Sequence, residues 1–289
     1  MRRYRSSDED SARWDGFAFR DGDVVVSTRS KHGTTWVQHI LLLFIHGDPR
    51  RTLPLVELSP WLDHLVEPRS AVVARLDAQD HRRVIKTHTP LDGVPLDPRA
   101  TYVVVARHPL DAAVSLYHHR RNLDRDRVGE LTGAPRRPAR RERPLADWLR
   151  AWIAWDGDAA DALDSLPGVL HHLSDAWRRR HDDNVVLVHY ADLLADLDQG
   201  MRRLAGAIGV DVPQRRRENL IGAATLPAMR ARATQLAPGP AGILRDPAAF
   251  FRVGGTGEGA ALLTPDELDA YHARAARLAP PDLLTWLHR

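Results

Sequence analysis

The sequence of 289 residues predicts a single α/β domain, residues 1–289, with a central parallel sheet flanked by helices. Three observations lead there. β-Branched runs near residues 23–28, 83–87, 101–106 and 184–190 alternate with segments of helical periodicity, and that alternation is the pattern of a parallel sheet. The run 101–106, TYVVVA, is continuously apolar, as a strand buried on both faces should be. The first strand passes into a polar turn carrying a lysine and a glycine and then opens a helix at Thr34. A strand, a turn and a helix N-terminus offer free backbone N–H groups and a positive dipole end, the usual seat of a phosphate.

The elements follow in order. Residues 1–20 are charged and expected to be mobile. The helix opened at Thr34 runs to about residue 46, with Val37, Ile40, Leu41 and Phe44 on one face and Gly47-Asp48-Pro49 as its stop. Pro54 and Pro60 make the apolar stretch 53–68 irregular, and 55–66 is expected to wall a pocket. The strand 83–87 ends at His88-Thr89-Pro90. The strand 101–106 is followed by Arg107-His108-Pro109 and a helix through Ser115 to about residue 121. Residues 122–144, which include RRPARRER, lack an apolar period and predict a mobile surface loop. Helices are expected at 145–155, 169–180, 193–208, 219–233 and 268–278, and 239–253 is a loop leading into the glycine-rich GGTGEG.

Composition narrows the function classes. A formal charge of +3 with 27% charged residues describes a well-solvated protein, not one that coats nucleic acid. The absence of cysteine excludes disulfides, thiolate metal sites and a cysteine nucleophile. The start has no apolar signal core and the longest apolar run, 40–45, is too short for a bilayer. A cytoplasmic protein with no membrane or nucleic-acid partner is expected; an oligomer is possible but not indicated. Of the 41 basic residues only Lys31 and Lys86 are lysines. Arginine can replace lysine except where a compact cation must reach one atom, so both lysines are candidate site residues. The histidines show no clean ligand spacing, and no metal is expected.

The turn 27–36, STRSKHGTTW, is not a Walker A motif, because its lysine precedes the glycine, and no Mg²⁺ apparatus accompanies it. It resembles instead the 5′-phosphosulfate loop of the PAPS-dependent sulfotransferases of cytosolic type. The resemblance continues in order through IKTHTP, RHPLDAAVS and FFRVGGTGEG, and covers roughly residues 20–275.

It implies a P-loop-like three-layer fold and an enzyme that moves a sulfuryl group from PAPS (3′-phosphoadenosine 5′-phosphosulfate) to a hydroxyl of a small organic acceptor, with PAP as product. His88 would be the general base, and Lys31 would neutralise the leaving oxygen. Gly33, Thr34 and Thr35 would hold the 5′-phosphate, while Trp36 would stack on adenine or pack beneath the loop. Arg107 and Ser115 would grip the 3′-phosphate, and Lys86 would touch the sulfuryl oxygens. Tyr190, Thr225 and Leu226 fall on the adenine side, and Arg252, Val253 and Gly254 on the 3′-phosphate side. His32 stands where the family has serine and Val253 where it has lysine. A silent PAP/PAPS-binding protein is the alternative reading, and a P-loop kinase a weaker one.

Overall fold

The computed structural model describes residues 1–50, 52–133, 143–239 and 242–289. Four strands, β1 (Val24–Ser27), β2 (Val84–Thr87), β3 (Thr101–Ala106) and β4 (Val185–His189), form one sheet in the order β2-β1-β3-β4. All three pairings are parallel, with Val25 opposite both Ile85 and Tyr102, and Val104 opposite Leu187. From β1 the chain steps outward to β2, then crosses back to β3 on the other side. Such a reversal opens a crevice at the carboxyl ends of the two inner strands.

The helices are α1 (Thr34–His46), α2 (Leu55–Leu58), α3 (Arg69–Asp77), α4 (Pro109–Asn122), α5 (Arg125–Thr132), α6 (Leu145–Ala154) and α7 (Leu166–Arg178). They continue as α8 (Tyr190–Ala195), α9 (Leu197–Ala207), α10 (Gln214–Ala224), α11 (Leu226–Ala231), α12 (Ala233–Leu236), α13 (Pro265–Leu278) and α14 (Pro281–Leu287). Because side chains alternate along a strand, each strand feeds two cores. Val24, Val26, Val103 and Val105 pack with α1, α9 and α10. Val25, Ile85, Tyr102 and Val104 pack with α4, α7, α13 and α14. Three layers result, as the sequence predicts.

Several expectations are corrected. The first twenty residues are not a loose tail: Trp14 is fully buried, stacks on Phe19 and meets Phe17 edge-on. Charge at the start hid this aromatic anchor. Within 122–144, residues 125–132 form α5, because Asp124 caps its N-terminus by accepting from the Arg127 N–H at 3.0 Å. Most of the arginine-rich run, 134–142, lies outside the described residues. The helix expected over 193–208 breaks at Asp196, whose extended backbone ends α8 and caps α9. The helix expected over 219–233 begins at Gln214 and stops at Ala224, where extended Thr225 precedes Leu226-Pro227. Helices α3 and α14 were not anticipated; the polar α3 shows no apolar stripe and buries only Val72 and Leu76. No helix among the described residues is long and apolar enough to cross a membrane.

Candidate active site

Each strand delivers a candidate residue at its carboxyl end: β1 leads to Lys31, β2 to His88, β3 to Arg107 and β4 to Tyr190. All four line one cleft of about 3030 Å³. A site for a single drug-sized ligand is roughly 300–1,000 Å³, so this cleft has room for two substrates.

The turn after β1 is held in an uncommon shape. Lys31 has φ 68°, the one positive φ at a non-glycine residue among those described, and Gly33 has φ 107°. The Thr28 and Thr34 hydroxyls bond across the neck of the turn. A Cβ at Gly33 would stand 3.0 Å from the Tyr190 ring, so this glycine also permits close packing. No side chain caps α1 and no acid lies in its first turn, which leaves the N–H groups of Thr34, Thr35 and Trp36 for an anion.

Lys31 forms no ion pair among the described residues; its Nζ lies 3.5 Å from the centre of the Phe250 ring. Lys86 rests likewise on Trp61, at 3.6 Å. Arg107 donates to the Gly255 carbonyl at 2.8 Å and lies over the Tyr190 ring, with no carboxylate ion pair among the described residues. Burial, then Arg107, Lys86 and Arg252, push the Lys31 ammonium down to about 7. Burial lowers Lys86 to about 8, although Glu9 and Asp63 oppose it. Cations held this close, away from bulk water and with no ion pair of their own among the described residues, are unfavourable unless an anion joins them. The cluster therefore fits an anionic ligand.

His88 is buried beyond β2, and its Nδ1 contacts the Thr28 carbonyl. A carbonyl only accepts, so Nδ1 carries the hydrogen and Nε2 of the neutral ring keeps its lone pair. Burial first, then Lys86 and Arg29, holds the ring well below its ordinary pKa, so it is neutral at pH 7. A neutral imidazole with a free nitrogen can take a proton.

What sets His88 in place was not visible in the sequence. Asp63 is buried; its carboxylate accepts from Trp61 at 2.6 Å, Trp14 at 3.1 Å and Thr89 at 2.6 Å, and also from the Thr87 hydroxyl. It thus pins both neighbours of His88 and the tryptophan that meets the His88 ring edge-on at 4.5 Å. Asp63→Ala would strand these donors. We expect it to lower unfolding free energy by about 3–5 kcal/mol, read by urea denaturation. Arg29 is equally hidden: it bonds the His88 carbonyl and pairs with Asp164 at 2.7 Å. Burial works against the Asp164 carboxylate, but Arg29 and Arg120 hold it at about 2.

The remaining candidates divide. Thr34, Thr35, Trp36, Ser115, Thr225, Leu226, Arg252, Val253 and Gly254 all line the same cleft. Trp36 does not lie free for stacking: its Nε1 donates to the Ala224 carbonyl at 2.8 Å and its ring meets Tyr190 edge-on. Arg252 is paired with Glu258, and Val253 is 64% exposed. His32 is the exception. It is fully buried, is not among the cleft-lining residues, and its Nδ1 lies 3.0 Å from the Ser30 carbonyl. Burial lowers it to about 4, so it packs beneath the turn as a neutral ring. The expected apolar wall is displaced: of 55–66 only Trp61 and His64 line the main cleft, while Leu55, Val56, Glu57, Ser59 and Val66 line a smaller pocket that shares Trp61, His64 and Lys86 with it.

Fold and site together present an α/β domain with a cationic cleft at the strand ends and a neutral histidine in it. The chain belongs to the sulfotransferase family: the family model "Sulfotransferase domain" matches residues 21–276. It is 40% identical over 305 residues to a glycolipid sulfotransferase of Mycobacterium bovis (strain BCG / Pasteur 1173P2), covering 99% of this chain and 93% of that one. It is 26% identical to sulfotransferase 2B1 of Homo sapiens, over 73% of this chain and 53% of the relative. Retinol dehydratase in a complex with retinol and PAP shares the fold, with TM-score 0.69 and 19% identity over 94% of this chain and 85% of that one. Mouse sulfotransferase SULT7A1 complexed with PAP also shares it, with TM-score 0.67 and 19% identity over 93% and 88% of the two chains. The protein is a sulfotransferase.

Proposed function

We propose that this enzyme transfers the sulfuryl group of PAPS to a hydroxyl on the sugar of a glycolipid-like acceptor, with His88 as general base. The observation that carries the reading is the meeting, in one cleft, of Lys31, Lys86 and Arg107, none of which forms an ion pair among the described residues, with a neutral His88. The 40% identical relative, named a glycolipid sulfotransferase, supports the acceptor class.

PAPS, when bound, supplies the electrophilic sulfur and a phosphate leaving group. The first-turn N–H groups of α1 and the hydroxyls of Thr34 and Thr35 would hold its 5′-phosphate, and Lys31 would balance charge growing on the bridging oxygen. Arg107 and Ser115, with Arg252 and the Gly254 backbone, would hold the 3′-phosphate. Tyr190, Leu226 and Trp36 would enclose the base, Trp36 through packing. Lys86 would face the sulfuryl oxygens. His88 Nε2 would accept the acceptor's hydroxyl proton while its Nδ1–H stays on the Thr28 carbonyl. The function is tested by offering labelled PAPS with phenols, alcohols and glycosides; transfer to none of them would favour the silent nucleotide-binding reading.

Nucleotide affinity should depend on pH through Lys31. An anion raises the pKa of this ammonium, so the protonated form binds more tightly. Below about 7, Lys31 is charged before binding and affinity is level; above that, binding must take up a proton. The Kd for PAP should rise with pH from 7 to 9, by up to about tenfold per unit. Calorimetry on the wild type and Lys31→Met checks this, and the variant should lose the Lys31 component of the rise.

A further inference from the structure

The N-terminal segment lies before the family-matched residues 21–276, yet it forms part of the cleft. Between Tyr4 and Ser11 the chain closes on itself: the Ser11 N–H donates to the Tyr4 carbonyl at 2.9 Å and the Ser6 N–H to the Glu9 carbonyl at 2.8 Å. The loop is docked on the stretch beside Trp61, with the Asp10 N–H on the Asp63 carbonyl at 2.9 Å and the Leu65 N–H on the Asp8 carbonyl at 2.8 Å. Glu9 bridges His64, whose ring stacks on Trp61, and Trp61 in turn touches His88. Glu9 therefore stands on the wall adjoining the base, away from the Arg107 end.

Its carboxylate is 3.6 Å from Arg29 Nη1, an ion pair without a close hydrogen bond, and its side chain keeps 15% exposure. Arg29 already donates to Asp164 at 2.7 Å and to the His88 carbonyl. Acceptor oxygens on Glu9 are thus open to the cleft. A carboxyl group, ionised or protonated, accepts hydrogen bonds from hydroxyl groups, and a sugar offers several beside the one that reacts. Both faces of Trp61 are covered, by His64 and by Lys86, so this ring is no stacking platform and recognition falls to the polar group.

We propose that Glu9 is an acceptor-binding residue that takes a hydrogen bond from a hydroxyl neighbouring the one sulfated, and so selects polyols over monohydric acceptors. This rests on the sugar-acceptor reading above. Burial pushes the Glu9 carboxyl up to about 8 against the pull of Arg29, so near neutral pH it is largely protonated and can both accept and donate a hydrogen bond.

The test measures kcat/KM of the full chain for a long-chain alkyl glucoside and for the corresponding alkanol, at fixed PAPS. Glu9→Ala should lower the glucoside-to-alkanol ratio by about ten- to a hundredfold. Glu9→Gln, which keeps a carbonyl acceptor, should retain more of the ratio than Glu9→Ala does. The melting temperature and PAP Kd of each variant show whether the fold and the nucleotide end are intact. A ratio unchanged in Glu9→Ala, or equal loss for both acceptors, overturns the assignment and leaves the sugar reading standing. Wild-type transfer to the alkanol alone, or to neither, overturns the sugar reading and the assignment with it.

Discussion

His88→Ala should lower kcat by about 10²–10⁴-fold while PAP binds with nearly its wild-type Kd. The reason lies in where the ring sits. Its Nδ1–H is committed to the Thr28 carbonyl, so the proton-accepting atom is Nε2, and alanine removes that atom without touching the cationic cluster. His88→Asn sharpens the result, since its amide can still donate to Thr28 but cannot take a proton at neutral pH. It should be as slow as the alanine variant. Steady-state kinetics with calorimetry separates the two quantities; a wild-type kcat in either variant would remove His88 from the mechanism.

Lys31→Met should cost about 10²–10³-fold in kcat, the scale of losing a charge aimed at a developing anion. Methionine keeps length and a soft contact with Phe250, so the loss reports charge and not packing. Lys31→Arg should recover only part of it. The guanidinium is a broad fork whose charge is spread over three nitrogens, and Lys31 occupies a left-handed turn that fixes where its side chain starts. Single-turnover rates measure both variants. Full activity in Lys31→Arg would show that any cation serves there.

The strands and the phosphate turn were legible because they are local. Val24 to Val26, TYVVVA and the lysine-bearing turn announce themselves over a few residues, and the four strand ends then bring distant candidates together. Lysine scarcity pointed to Lys31 and Lys86, and both line the cleft. His32 misled because adjacency in sequence says nothing about facing: at the foot of a turn, one residue points into the cleft and the next beneath it. Asp63, Arg29 and Asp164 were illegible for a different reason. Their roles rest mostly on distant partners, such as Asp63 with Thr87, 24 residues on, and Arg29 with Asp164, 135 residues on. Trp14 was hidden by charged neighbours, although a tryptophan and two phenylalanines within six residues are a signal for burial.

The most direct measurement of the central claim is a single turnover of labelled PAPS with an alkyl glucoside, following the sulfated sugar and PAP together. The account expects both to appear at one rate and in equal amounts, with neither formed by His88→Ala on that timescale. PAP released without sulfated sugar, or PAPS held tightly and never turned over, would contradict it.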